Sequence, residues 1–324
     1  MGPVSLRALA HATADDVRVL LVEAEAAALV AAVRDASDAE VQAVVDRDEV
    51  RHAAIAAILG RLADFALPHR LAGLSGTARV DLEHGGRVVA SEVLRVADGT
   101  ITVVGADAAG GDVDVTLRTS VLGFVRLASG ERNAGLEHLA GRLAIEGDPE
   151  LALGLGGIFA APGPAGAPPV AVDPRALDPV DVARELAHVD PDHLYAVLAS
   201  GFRPVVLDEI FRRLPEFVNP RKAQGLRLVV GFRLSGRPDD QLDRFVVRLE
   251  DGAVEVLSGV AADAVGRDER SATVTCGAHD FLRLATGHLS PVTGVLRGQL
   301  KVRGDKAAAL RLAGAFDIPT AVAG

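Results

Sequence analysis

Residues 124–159 lie without a gap on residues 281–316 at a constant offset (281 − 124 = 157). Phe124, Arg126, Leu127, Ala128 and Gly130 coincide with Phe281, Arg283, Leu284, Ala285 and Gly287. Further on, Leu139, Gly141, Leu143, Gly147, Asp148, Leu155 and Phe159 coincide with Leu296, Gly298, Leu300, Gly304, Asp305, Leu312 and Phe316. Upstream, Ile58, Arg61, Leu62 and Phe65 fall on Ile210, Arg213, Leu214 and Phe217 at an offset of 152 (210 − 58). The change of offset puts short insertions in loops, one of them at residues 235–240, where insertions are tolerated. Repeats this long mean a two-copy duplication rather than a solenoid. The two halves must therefore share one fold.

A chain of 324 residues suits two domains of roughly 150. The Gly/Pro-rich stretch near the middle is the natural linker, giving a first domain at 1–160, a linker at 161–175 and a second domain at 176–324. The uncharged run from Leu151 to Val172 is long enough to span a bilayer, but its glycines and prolines argue against a membrane helix. The N-terminus lacks the apolar run of an export signal, and the single cysteine, Cys276, can form no intramolecular disulfide. A cytoplasmic protein is expected. A net charge of −10 and a single tyrosine with no tryptophan disfavour a nucleic-acid partner.

Local signals fix the element types. Ser37 with Glu40 is a capping box, while Asp178-Pro179 and Asp190-Pro191 read as N-cap plus first-turn proline. Ile55, Ile58, Leu59 and Leu62 recur at helical spacing. Alternating strands then turn at Gly85-Gly86 and Asp98-Gly99, and the second unit repeats this order with Asp251-Gly252. A further strand runs into a helix stopped by Gly130, and Gly147-Asp148 turns the chain into a last helix. The expected fold class is α+β, each unit a mainly antiparallel sheet covered by helices on one face.

The segment FLRLATGHLSPVTGVLRGQLKVRGD, residues 281–305, resembles the C-terminal signature of the sterol carrier protein 2 family, including Pro291 in its turn and Lys301 in its strand. Gln299 interrupts the pattern between Gly298 and Leu300, and the first unit departs from it at Ala134 and Ala144. The resemblance implies non-catalytic binding or transfer of a fatty acyl chain, sterol, acyl-CoA or similar apolar ligand in a tunnel between sheet and helices. An accessory module with closed pockets, acting beside a partner enzyme, is the alternative. The candidate lipid-contacting residues are Phe281, Leu284, Leu296, Leu300, Val302, Leu312, Phe316 and Phe245 in the second unit. In the first they are Phe124, Leu127, Leu143, Ile145, Leu155 and Phe159. Seven phenylalanines in the second half against three in the first predict pockets of different shape, and the elongated cavity is expected first in the second unit.

No phosphate loop, dinucleotide fingerprint, serine elbow or zinc-protease motif is present, so neither an enzyme nor a cofactor is expected. His188, Asp190, Asp192 and His193 could be read as metal ligands, but helix capping accounts for Asp190 and no metal is expected. Asp208 and Glu209, adjacent in sequence, read as a solvated helix face rather than an acid/base pair. Charge separates the repeats: residues 124–159 carry 3 − 5 = −2, residues 281–316 carry 6 − 1 = +5. Lys301 and Arg303 leave one strand face and are candidates for an anionic headgroup, giving transient contact with an anionic membrane through the second domain.

Overall fold

The computed structural model describes residues 12–105, 111–161, 170–171 and 173–318, and the chain divides into two compact units, 1–177 and 178–324. Most of the expected linker, 162–169 and 172, lies outside the described residues.

Among the described residues the first unit has α1 (Ala14–Glu23), α2 (Ala26–Arg34), α3 (Asp38–Val45) and α4 (Asp48–Gly60), followed by the short α5 (Pro68–Leu71). Thr13 with Asp16 and Ser37 with Glu40 form reciprocal capping boxes that start α1 and α3. Strands β1 (Gly76–His84), β2 (Arg87–Ala97) and β3 (Thr100–Gly105) make an antiparallel meander. Their two-residue turns, Gly85-Gly86 and Asp98-Gly99, have positive φ throughout, as the twist of tight hairpins demands. Next come β4 (Val115–Ser120), α6 (Val121–Ala128), α7 (Ala134–Leu139), β5 (Leu143–Gly147) and α8 (Pro149–Ile158). The sheet order is β3-β2-β1-β4-β5, with β4 parallel to β1 and every other pair antiparallel. A two-residue ladder, β6 (Ala160–Ala161) with β7 (Val170–Ala171), ends the unit's strands.

The second unit repeats the order of the strands. It has α9 (Pro179–Leu186), α10 (Pro191–Ala199), α11 (Arg203–Arg213), α12 (Pro220–Ala223), β8 (Arg227–Ser235), β9 (Asp243–Glu250) and β10 (Ala253–Ser258). Then follow α13 (Gly259–Ala264), β11 (Ala272–Gly277), α14 (Ala278–Ala285), α15 (Pro291–Leu296), β12 (Lys301–Gly304) and α16 (Lys306–Gly314). Its sheet order, β10-β9-β8-β11-β12, again has one parallel pair at the centre. Asp178 and Asp190 cap α9 and α10 through their side chains, each with proline in the first turn.

Registers agree through the strand interiors, while the hairpin end of β1–β2 carries a shift between Leu82 and Glu83 that β8–β9 lacks. Val80 pairs with Leu117 as Phe232 pairs with Val274, and the isolated bridge Ala66–Phe159 recurs as Val218–Phe316. Gly147 and Gly304 explain one identity in physical terms. Their φ values are 105° and 86°, and a Cβ would stand 2.2 Å from the Asp114 carbonyl oxygen or 2.7 Å from that of Ser271. Helix α1 precedes the three helices of the first unit that correspond to α9, α10 and α11.

Candidate functional site

In the first unit, helices and sheet line a partly open apolar cavity of about 280 Å³. One wall is the inward sheet face, on which Val80, Leu94, Leu117, Ile145, Thr119 and Leu143 lie together by register. Helix α6 contributes Phe124, Val125, Leu127 and Ala128, and α8 with its end contributes Leu155 and Phe159. All six first-unit candidates therefore line one space.

Most of the roof comes from α1, α2 and α3, which the repeat comparison did not single out. Val17 and Leu21 of α1, Val30 and Val33 of α2, and Val41, Val44 and Val45 of α3 face the cavity, with Ile58 of α4 and then Leu62 and Phe65. Their signal in the sequence is the helical spacing of Val17 with Leu21 and of Val41 with Val44 and Val45.

Arg126, only 5% exposed, holds that roof to the wall. Its Nε donates to Asp38 at 2.8 Å, its Nη1 to Glu131 at 2.8 Å and to the Val33 carbonyl at 2.8 Å, and its Nη2 to the Ala36 carbonyl at 2.7 Å. Burial alone pushes its pKa down; the hydrogen bonds to Glu131 and Asp38 outweigh burial and raise it. Arg34 adds two donors to the Ser129 carbonyl, at 3.0 and 2.8 Å. The polar wall groups are engaged within the fold. Arg61 donates to the carbonyls of Leu21 and Ala24, Thr119 to that of Arg142 and Ser129 to that of Arg126.

The second unit, where the elongated cavity is expected first, places a cluster of packed rings at the corresponding positions. Phe211 stacks on Phe245 at 3.8 Å and on Phe281 at 4.8 Å between centroids, and Phe232 meets Phe211 and Phe281 edge-on. At the first three positions the first unit has Leu59, Glu92 and Val80 in place of Phe211, Phe245 and Phe232, and only Phe124 matches a ring, Phe281. Phe245, Phe281, Leu300, Leu312 and Phe316 are buried in this cluster, with Leu284 and Val302 half-buried against it. Leu296 is the exception: it is 82% exposed at the end of α15, whereas its equivalent Leu139 is 7% exposed. It cannot line an interior. Lys301 and Arg303 are exposed on the opposite, outer face of the second sheet, as their alternation with Val302 predicts.

Other reactive groups are accounted for. Cys276 is buried in the second core, and burial pushes its thiol up to about 12. Asp190 accepts from the Asp192 amide at 2.9 Å as a helix cap. Among the described residues no group of three or more His, Cys, Asp or Glu could hold a metal, and no helix is long and apolar enough to cross a membrane.

The profile of the SCP-2 sterol transfer family matches residues 55–160 and again residues 207–317. No curated protein matches the chain. Among solved structures, sterol carrier protein 2 like 2 of Aedes aegypti is 21% identical over 35% of this chain and 95% of that one, with a TM-score of 0.27. Sterol carrier protein 2 of Yarrowia lipolytica is 15% identical over 39% and 91%, with a TM-score of 0.24. The sec-alkylsulfatase Pisa1 of a Pseudomonas species is 18% identical over 45% of this chain, with a TM-score of 0.30, and the match covers 24% of the sulfatase. With both halves matched over well over half of its 324 residues, the chain belongs to the SCP-2 sterol transfer family and carries two tandem copies of its domain.

Proposed function

We propose that this protein is a non-catalytic carrier of a single apolar ligand, held in the first unit, and that the second unit is a closed companion domain. The observation that carries the reading is the contrast at equivalent positions: an apolar space of about 280 Å³ in one copy, stacked rings in the other. At roughly 24 cal/mol per Å³, a fully enclosed space of this volume left empty would cost about 7 kcal/mol, an upper bound for this partly open one. That is comparable with the whole stability of a domain, about 5–15 kcal/mol. Water is a poor filling for an apolar wall. An apolar ligand is a good one, and it stabilises the domain in proportion to its occupancy.

Size narrows the ligand class. An apolar cavity of about 150 Å³ takes one benzene. The space here is less than twice that, which suits one acyl chain of middle length better than the four fused rings of a sterol. Thermal unfolding with fatty acids, acyl-CoA and sterols tests this. Acyl ligands should raise the melting temperature of the native chain. In Val80→Phe, which copies Phe232 into the first unit, they should not. A larger shift with a sterol than with any acyl ligand would refute the size argument; identical shifts in Val80→Phe would refute the site.

A further inference from the structure

The outer face of the second sheet carries a cationic cluster in which, among the described residues, Arg244 alone has an ion-pair partner. Across the strands, Lys301, Thr275, Arg233 and Arg244 form one register row, and Arg303, Thr273, Gly231 and Val246 form the next. The same rows in the first unit read Ala144, Arg118, Asp81 and Ser91, then Glu146, Thr116, Arg79 and Val93. Formal charge over these eight positions is 2 − 2 = 0 in the first unit and 4 − 0 = +4 in the second.

At the centre the reversal is complete. Asp81 of the first unit accepts from Ser91 at 2.7 Å and meets Arg118 at 3.4 Å, a neutralised arrangement. Arg233 of the second is half-buried, its Nε is sealed from solvent without a hydrogen bond, and among the described residues it has no ion-pair partner. Burial lowers its pKa, and the like charges of Arg270, Arg244, Arg267 and Arg303 lower it further, though an arginine still stays protonated. Only Arg244 is compensated, by Asp263 at 2.9 Å.

The cluster is also built, not merely crowded. Arg270 lies over the sheet because residue 231 is glycine: a Cβ there would stand 3.2 Å from its Cδ and Nη1 and 3.4 Å from the Thr273 hydroxyl. Its Nη2 is fixed by the carbonyls of Ala262 and Val265, at 3.0 and 2.8 Å. Among the described residues no carboxylate pairs with it. A half-buried cation among cations destabilises a fold unless an anion joins it. Planar guanidinium forks with neighbouring hydroxyls match the oxygens of a tetrahedral oxyanion.

We propose that the outer face of the second sheet binds a phosphate group between Arg233, Arg270 and Arg303, with Thr273 and Thr275 beside it. The site is separate from the first unit's cavity and independent of what that cavity holds. Arg233 is half-buried and Lys301 and Arg303 are exposed, so a phosphate group can approach from the solvent side of this face.

The test uses the full chain and inorganic phosphate, with sodium chloride at matched ionic strength as control. Phosphate should raise the urea midpoint in a saturable way, and chloride should not. Arg233→Met should raise the midpoint without phosphate and weaken phosphate binding at least ten-fold. Arg303→Gln, an exposed change, should weaken it several-fold and serves if Arg233→Met does not fold. Flotation with phosphatidylcholine vesicles containing phosphatidic acid separates the sources: binding that phosphate displaces means that a lipid-borne phosphate uses the same site. No stabilisation by phosphate, or the same stabilisation in Arg303→Gln and Arg233→Met as in the parent, overturns the proposal. Vesicle binding without phosphate stabilisation overturns it too, because that is a diffuse basic surface.

Discussion

Replacing Phe211 by leucine, the residue at the equivalent Leu59, probes the claim that rings close the second unit. Phe211 is 2% exposed and contacts three other rings, with centroids at 3.8, 4.8 and 5.8 Å. Each aromatic pair contributes about 0.5–1.5 kcal/mol beyond burial. Complete removal of a buried phenylalanine side chain costs about 3–5 kcal/mol. Phe211→Leu should therefore cost about 3 kcal/mol. With a slope of about 2 kcal/mol per molar urea, the midpoint should fall by about 1.5 M. The assay is built in: Tyr195 is the only tyrosine, there is no tryptophan, and Tyr195 lies in the second unit against His279. Its emission reports that unit alone. A loss below about 1 kcal/mol would refute the reasoning, since the rings would then not be what fills this interface.

Three further outcomes follow from single residues. His279 has its pKa lowered from 6.5, by burial first and by Arg283, against the opposing Asp280. The unfolded chain therefore takes up that proton first, so stability is full above pH 6.5 and declines as pH falls from there toward the folded value. In His279→Gln the Tyr195 midpoint should lose that part of its pH slope; an unchanged slope would contradict the assignment. The Cys276 thiol, 4% exposed and pushed up to about 12, should resist Ellman's reagent at pH 8 until urea unfolds the chain, and rapid labelling of native protein would contradict its burial. Gly147→Ala should destabilise by more than about 1 kcal/mol, whereas Gly60→Ala, with nothing within 4 Å, should be neutral or stabilise slightly; equal thermal shifts for the two would contradict the strain argument.

Much of this fold is legible without coordinates because its signals are local. Helix starts at Ser37, Asp178 and Asp190 are written in two to four residues, and the tight turns at Gly85-Gly86, Asp98-Gly99 and Asp251-Gly252 in pairs. The parallel pairing of β1 with β4 is not legible, because it joins strands separated by a whole meander. The first-unit candidates converge because α6, β5 and α8 form one contiguous wall. The second unit misleads for a different reason. A phenylalanine can line a space or fill it, and only register, which sets Phe232 opposite Phe245 on the inward face beneath Phe211, decides between them. Leu296 shows the limit of repeat identity: alignment carries over the backbone position of Leu139 but not the neighbours that bury it.

Native mass spectrometry of the purified full chain tests the central claim most directly. One apolar ligand per chain is predicted, retained in Phe211→Leu and absent from Val80→Phe. Two ligands per chain, none in the native protein, or undiminished occupancy in Val80→Phe would contradict a single working pocket in the first unit.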